Sequence, residues 1–207
     1  MRRTKVVVGI DLAGSPKRPT GVCTLRGHLA SKIAELSSDE HIIKYINERK
    51  PELVAIDAPL SLPPGRRSIN DRNEKHFRAC DEELRRRRIR FFPITLGPMR
   101  MLTVRGIRLK RRIKKMGPKV VEIYPGGAQD IWGIPRKQGG LENLRRGLER
   151  LGVEGLSKGL TGDELDAVSA AVVGNLFLLG KAEVYGNFRK GAIVMPKGPT
   201  TGHRVAL

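Results

Sequence analysis

Four aspartates occupy positions from which they could hold divalent cations against a phosphate: Asp11, Asp57, Asp163 and Asp166. Asp11 closes the apolar run Val6-Val7-Val8-Gly9-Ile10, and Asp57 closes Leu53-Val54-Ala55-Ile56. Asp163 and Asp166 are spaced to share one face of a helix, just ahead of the small-residue stretch Ala167-Val168-Ser169-Ala170-Ala171. A carboxylate at the end of an apolar strand is costly unless positive charge meets it. An all-oxygen ligand set suits Mg²⁺ or Mn²⁺ and disfavours zinc. Two such ions, about 4 Å apart, would activate water for in-line attack on phosphorus and stabilise the leaving oxygen. In this arrangement Asp11 bridges both ions, Asp57 completes one shell, and Asp163 with Asp166 completes the other. Glu122 is a fifth candidate ligand. It sits between Val121 and Ile123 in another strand-like run, so its side chain points away from theirs. It either lines the same site or pairs with a basic group elsewhere.

The elements that must position these residues follow from the apolar pattern. Residues 6–10, continuous and β-branched, read as a buried central strand ended by Asp11 and the turn formers Gly14-Ser15-Pro16. Gly21-Val22-Cys23-Thr24-Leu25 and Lys32 to Leu36 follow as hairpin-linked strands. Ser37-Ser38-Asp39-Glu40 caps a helix that carries Ile42, Ile43 and Ile46 and stops before Pro51. A connection of this kind brings residues 53–57 back parallel to the first strand. Lys119 to Tyr124 is a further central strand, broken by Pro125-Gly126-Gly127. A basic helix is expected within Gln138 to Leu151, a well-buried one from Asp163 to about Leu179, and a small hairpin over 182–195.

Between these elements, residues 65–118 form a basic insertion in what is otherwise a single domain spanning 1–207. Arg85-Arg86-Arg87-Arg88 is one cationic run. Arg108, Lys110, Arg111, Arg112, Lys114 and Lys115 form another, on a helix from Arg105 to Lys115. The alternative is a solvated amphipathic helix pair. Lys and Arg number 40 against 21 Asp and Glu, giving a net charge of +19. Such an excess implies a polyanionic partner, nucleic acid before a membrane surface; a thermophile's charged surface is the bland alternative. The cationic runs are the expected grip on phosphates, which positions a nucleic acid without reading its sequence. Aromatics make up only 4% of the chain, so base stacking is expected to be secondary, with Phe91 and Phe92 in the core. Cys23 and Cys80 lie far apart, and His28, His41, His76 and His203 are scattered without ligand spacing, which argues against disulfides and zinc. There is no long apolar stretch and no secretory-type leader, so the expected location is cytoplasmic. The residues point to no protein partner.

Val7-Val8-Gly9-Ile10-Asp11-Leu12-Ala13 followed by Thr20-Gly21-Val22 resembles the opening of RNase H-like nucleases. Asp163-Glu164-Leu165-Asp166-Ala167 resembles the last-helix motif of the RuvC-type resolvases. Val54-Ala55-Ile56-Asp57-Ala58-Pro59, Cys80-Asp81-Glu82-Glu83-Leu84 and Glu122-Ile123-Tyr124-Pro125 resemble an uncharacterised family of predicted RNase H-like nucleases, domain of unknown function 429. The resemblance implies an α/β fold with a mixed five-stranded sheet, three antiparallel strands and then parallel ones, flanked by helices. It also implies metal-dependent phosphodiester hydrolysis at the aspartates. The resolvases typically carry Glu on the second acidic strand, where this chain has Asp57, and the shorter side chain alters metal spacing. Arg78 and Asp81 would position phosphate or cap a helix, and His76 would shuttle a proton or stay inert.

Two other readings compete. A non-catalytic nucleic-acid-binding protein on the same fold accounts for the charge, but gains nothing from focused acids that repel phosphate. A kinase of the actin-like ATPase superfamily shares the Gly9-Ile10-Asp11 opening, but would need a second lobe and a better phosphate loop than Gly14-Ser15-Pro16.

Overall fold

Strict alternation along the central strands decides the architecture. In a computed structural model that describes residues 4–198, strands β1 (Val6–Asp11), β2 (Thr20–Arg26), β3 (Leu29–Leu36), β4 (Leu53–Asp57) and β5 (Lys119–Glu122) form one sheet in the order β3-β2-β1-β4-β5. β1 and β2, and β2 and β3, pair antiparallel, while β1–β4 and β4–β5 pair parallel. This is the mixed sheet, three antiparallel strands and then parallel ones, that the sequence leads one to expect. β3 begins at Leu29 rather than Lys32, because the hairpin turns tightly at Gly27-His28 and the ladder resumes at once beyond it.

Successive strand residues point to opposite faces. Val7, Leu53, Ala55 and Val121 face a layer built from α4 (Pro125–Trp132), α5 (Leu141–Arg150) and α6 (Gly162–Leu178). Val8, Ile10, Val54 and Ile56 face α1 (Asp39–Arg49) and α3 (Gly97–Lys114), through Ile42, Ile46, Leu109 and Ile113. β6 (Ala182–Asn187) and β7 (Gly191–Pro196) make the expected hairpin. It packs on α2 (Ala79–Arg86) through Cys80, Leu84, Tyr185, Ile193 and Met195. The two helices of the basic insertion thus have different anchors, α3 on the sheet and α2 beneath the hairpin. No helix among the described residues is long and apolar enough to cross a membrane.

Two glycines let α6 settle directly on the strands beneath it. A Cβ on Gly9 would lie 2.1 Å from the Ala167 carbonyl oxygen, and one on Gly21 2.1 Å from that of Asp163. Backbone meets backbone at both points, so neither contact can be relieved by a rotamer change. Gly21→Ala should therefore destabilise the protein by about 1–3 kcal/mol and lift the first turn of α6 off β2. Chemical denaturation gives the first effect. Loss of amide protection in residues 162–166, without loss in β4, would report the second; unchanged protection there would contradict it.

Candidate active site

Asp11 and Asp57 end neighbouring parallel strands and are register partners. Parity puts both on the α6 face, in line with Val7 and Gly9 and with Leu53 and Ala55. Across the other edge of β1, Asp11 pairs with Gly21, the residue that lets Asp163 settle over the sheet. α6 begins there with a capping box: the Glu164 N–H donates to Thr161 Oγ1 (3.2 Å), and the Thr161 N–H donates to Glu164 Oε2 (2.9 Å). This cap is worth about 1 kcal/mol, and the helix dipole favours acids in this turn. Glu164 does the capping, which leaves Asp163 and Asp166 for other work. The loop after Asp11 is pinned from behind: the buried Arg105 donates from Nη1 to the Ala13 carbonyl (2.6 Å) and from Nε to Asp39 (2.8 Å).

The residue at the focus of the acids is Lys137. Its Nζ lies 3.0 Å from Asp163 Oδ1, 3.0 Å from Asp166 Oδ2 and 3.6 Å from Asp11 Oδ2. Burial pulls the Lys137 ammonium down, but attraction to Asp11 and Asp166 outweighs it and the net shift is upward. Burial, then the Asp166 charge, lifts the Asp11 carboxyl from the ordinary 3.8 to about 7, even with Lys137 pulling the other way. Burial raises Asp57 well above the ordinary range, with Asp11 and Asp166 adding to it. The site therefore gathers more carboxyl groups than one ammonium can hold ionised, and in the metal-free protein Asp57 and part of Asp11 keep their protons. A second buried residue orients Asp166: Gln129 Nε2 donates to Asp166 Oδ1 (2.7 Å) and to Ser169 Oγ (3.0 Å), and Ser169 in turn donates to the Leu165 carbonyl.

Hard oxygen donors in this number fit Mg²⁺ or Mn²⁺ in kind. Their spacing as it stands is that of a lysine-bridged cluster. Among the described residues no group of three or more His, Cys, Asp or Glu side chains is placed to share one ion. His203 lies outside the described residues.

Glu122 does not join the cluster. Both of its oxygens accept from Arg78 (2.7 and 2.8 Å), and Oε2 also accepts from the Leu60 N–H. Arg78 donates to Asp81 as well (2.8 and 2.9 Å), and all three side chains are at least 95% buried. Arg78 and Asp81 therefore tie β5 to the start of α2 rather than facing phosphate. His76 Nδ1 is hydrogen-bonded to Thr95 Oγ1 at 2.8 Å.

The cationic runs are more committed than their formal charge suggests. Arg85 pairs with Glu82, Arg86 with Glu83, Arg87 with Glu83 and Glu183, Arg112 with Glu40, and Arg108 with Asp39 at 3.6 Å. Lys110 donates to the Leu60 carbonyl. Arg88, Arg111, Lys114 and Lys115 are exposed and form no ion pair among the described residues. Phe91 is fixed edge-on against Phe77, but Phe92 is 69% exposed and not part of the core.

The match to a family model then covers residues 9–189, from within β1 to the turn that follows β6. The chain belongs to the DUF429 family. That family is described as proteins of unknown function. Among solved structures, the chain is similar to T. thermophilus RuvC in complex with a Holliday junction substrate, with 12% sequence identity, a TM-score of 0.47, and coverage of 90% of this chain and 99% of that one. No curated protein matches the chain. Within this DUF429 chain, Lys137 and Gln129 are the site residues that strand and helix patterns did not reveal. Lys137 sits in a short turn between helices, and Gln129 lies on α4, a helix that the sequence read as a break. The one available signal was composition, since Gln129 is one of only two glutamines.

Proposed function

We propose that the protein is a nuclease that hydrolyses phosphodiester bonds of nucleic acid with the help of divalent cations. What supports this reading is the gathering of Asp11, Asp163 and Asp166 around Lys137, with Asp57 beside Asp11 in register on the same face of the sheet. These carboxyls are more than Lys137 can hold ionised, in a chain with a net charge of +19. Asp11, Asp57, Asp163 and Asp166 would hold Mg²⁺ or Mn²⁺, two ions in the full arrangement, which supply Lewis acidity toward the phosphate and a more acidic water. The chain's own residues do the rest. Gln129 keeps Asp166 turned toward the cluster. Asp11, whose pKa is raised by burial in the metal-free protein, would give up its proton as a cation binds. Lys137, now held by three carboxylates, would turn to a phosphate oxygen once cations take its place. The exposed Arg88, Arg111, Lys114 and Lys115 supply phosphate contacts, so affinity should fall steeply with salt.

The test is a panel of labelled single-stranded, duplex, hybrid and four-way substrates, each with Mg²⁺, Mn²⁺ or chelator. Cleavage of at least one substrate that stops in chelator is the expected result. Metal-independent cleavage, or none on any substrate, would reject the proposal.

One feature favours the second reading, a non-catalytic nucleic-acid-binding protein: Lys137 already bridges the acids, as a permanent substitute for an ion would. Calorimetry separates the two. In the nuclease, Lys137→Met removes a competing cation, and Mn²⁺ should bind roughly tenfold tighter or more, given the strength of charge pairs at such distances. In a purely binding protein, Mn²⁺ does not bind the wild type, and Asp11→Asn changes nothing.

A further inference from the structure

Beside the acid cluster is a cavity of about 150 Å³ whose lining includes Asp57, Phe91, Phe92 and Tyr124, with the mutually paired Arg78, Asp81 and Glu122 along one wall. A mostly apolar cavity of this size has room for about one benzene-sized ring. It continues into an open groove of about 660 Å³ that shares Phe91, Phe92 and Tyr124 and is otherwise walled by Arg85, Arg88, Ile89, Arg90 and Arg136. No acidic residue lines that groove. The aromatic walls differ in kind. Tyr124 is rigid: its hydroxyl donates to the Arg90 carbonyl (2.6 Å) and accepts from Arg136 Nη1 (3.1 Å). Phe92 stands 69% exposed, next to Pro93 and a few residues beyond Arg88, whose left-handed backbone (φ 58°) turns the chain out of α2. Arg88 and Arg90 are exposed and have no ion-pair partner among the described residues.

We infer that this cavity and groove bind one unpaired nucleotide of the nucleic acid, its base against Phe92 and Tyr124 and its flanking phosphates along Arg88 and Arg90. The inference rests on the nuclease reading and deepens it, because Asp57 belongs to both cavity and cluster. The occupant must combine a flat apolar ring with anionic groups on either side, which describes a nucleotide in a strand. A fully paired duplex cannot present it, since its bases are stacked and its rings are covered. The protein therefore selects strands with an unpaired base beside the phosphate held at the aspartates.

The test measures binding in chelator. An oligonucleotide carrying the fluorescent base 2-aminopurine at one unpaired position is titrated with the wild type, Phe92→Ala and Phe92→Trp. The matching perfect duplex is the control. The wild type should change the 2-aminopurine emission. Phe92→Ala should weaken binding of the unpaired substrate roughly tenfold, the usual scale for loss of one base–aromatic stack, and leave duplex binding unchanged. Phe92→Trp should restore it. Equal affinity of Phe92→Ala and wild type for the unpaired strand, or an equal loss on the duplex, would overturn the inference. Phe92 is exposed, so a folding defect is not expected, and a thermal melt of each variant checks this. No cleavage is needed in chelator. A wild type that captures the base through Phe92 but cleaves nothing would refute the nuclease and keep the pocket; cleavage without Phe92-dependent capture would do the reverse.

Discussion

Replacing Asp11 with Asn is expected to abolish cleavage, leave nucleic-acid affinity intact and stabilise the metal-free fold. The first effect follows from removing a donor from the position shared by Asp57, Asp163 and Asp166. Loss of metal-assisted charge stabilisation is worth several kcal/mol, so the rate should fall by a factor on the order of 10³ or more. Asp166→Asn should behave alike, and it also disturbs the Gln129 contact. The stabilisation follows from linkage. The folded state raises the Asp11 carboxyl from 3.8 to about 7. A carboxyl whose pKa rises on folding costs nothing at low pH, where it is protonated in both states. The cost grows as pH climbs from about 4 to about 7 and is complete above that. Asn carries no such cost. In chelator, Asp11→Asn should therefore be more stable than wild type at pH 8, by an amount on the order of 2 kcal/mol, and the two should converge near pH 4. Stability curves at both pH values check this. A variant that cleaves at the wild-type rate would remove Asp11 from the mechanism, and one less stable at pH 8 would mean that Lys137 satisfies the cluster completely.

The largest loss of stability should come from Arg78→Met. The substitution strands Glu122 and Asp81 in the interior, where each now accepts two hydrogen bonds from the guanidinium. Breaking a buried ion pair from one side costs about 3–5 kcal/mol. In a chain of this size that corresponds to a melting point lower by roughly 6–20 °C. Neutralising the acids in the same chain, as Arg78→Met with Glu122→Gln and Asp81→Asn, should recover most of the loss, because the penalty comes from uncompensated charge and not from missing volume. A single variant within about 1 kcal/mol of wild type would show that water reaches these carboxylates.

The strands and their acids were legible because buried strands have a simple signature, a continuous apolar run, and a carboxylate that interrupts one stands out. Parity showed only that Glu122 points opposite to Val121 and Ile123; both a place in the site and a partner in the insertion stayed open, and the structure gives it Arg78. The last helix was legible from its small-residue stripe. α4 was not, since Pro125-Gly126-Gly127 reads as a break although proline is well suited to a helix's first turn; there it starts α4 at Pro125. Lys137 and Gln129 were out of reach for a different reason. Their partners lie 26 and 37 residues away; Lys137 sits in a short turn that no periodicity aims, and Gln129 belongs to the unread α4. The exposure of Phe92 was missed because a pair of adjacent aromatics followed by proline looks like core when the surface of the insertion is unknown.

At Gly9 and Gly21 the helix rests on the peptide planes of the sheet itself, and no side chain intervenes to act as a spacer. The separation between the carboxylates is thus inherited from main-chain geometry. Drift among the aliphatic residues on the α1–α3 side can erode the melting point by degrees while the relative placement of the four acids stays put. Lineages of this protein are free to repack one half of the molecule without recalibrating the other, provided those two hydrogens are never exchanged for methyl groups.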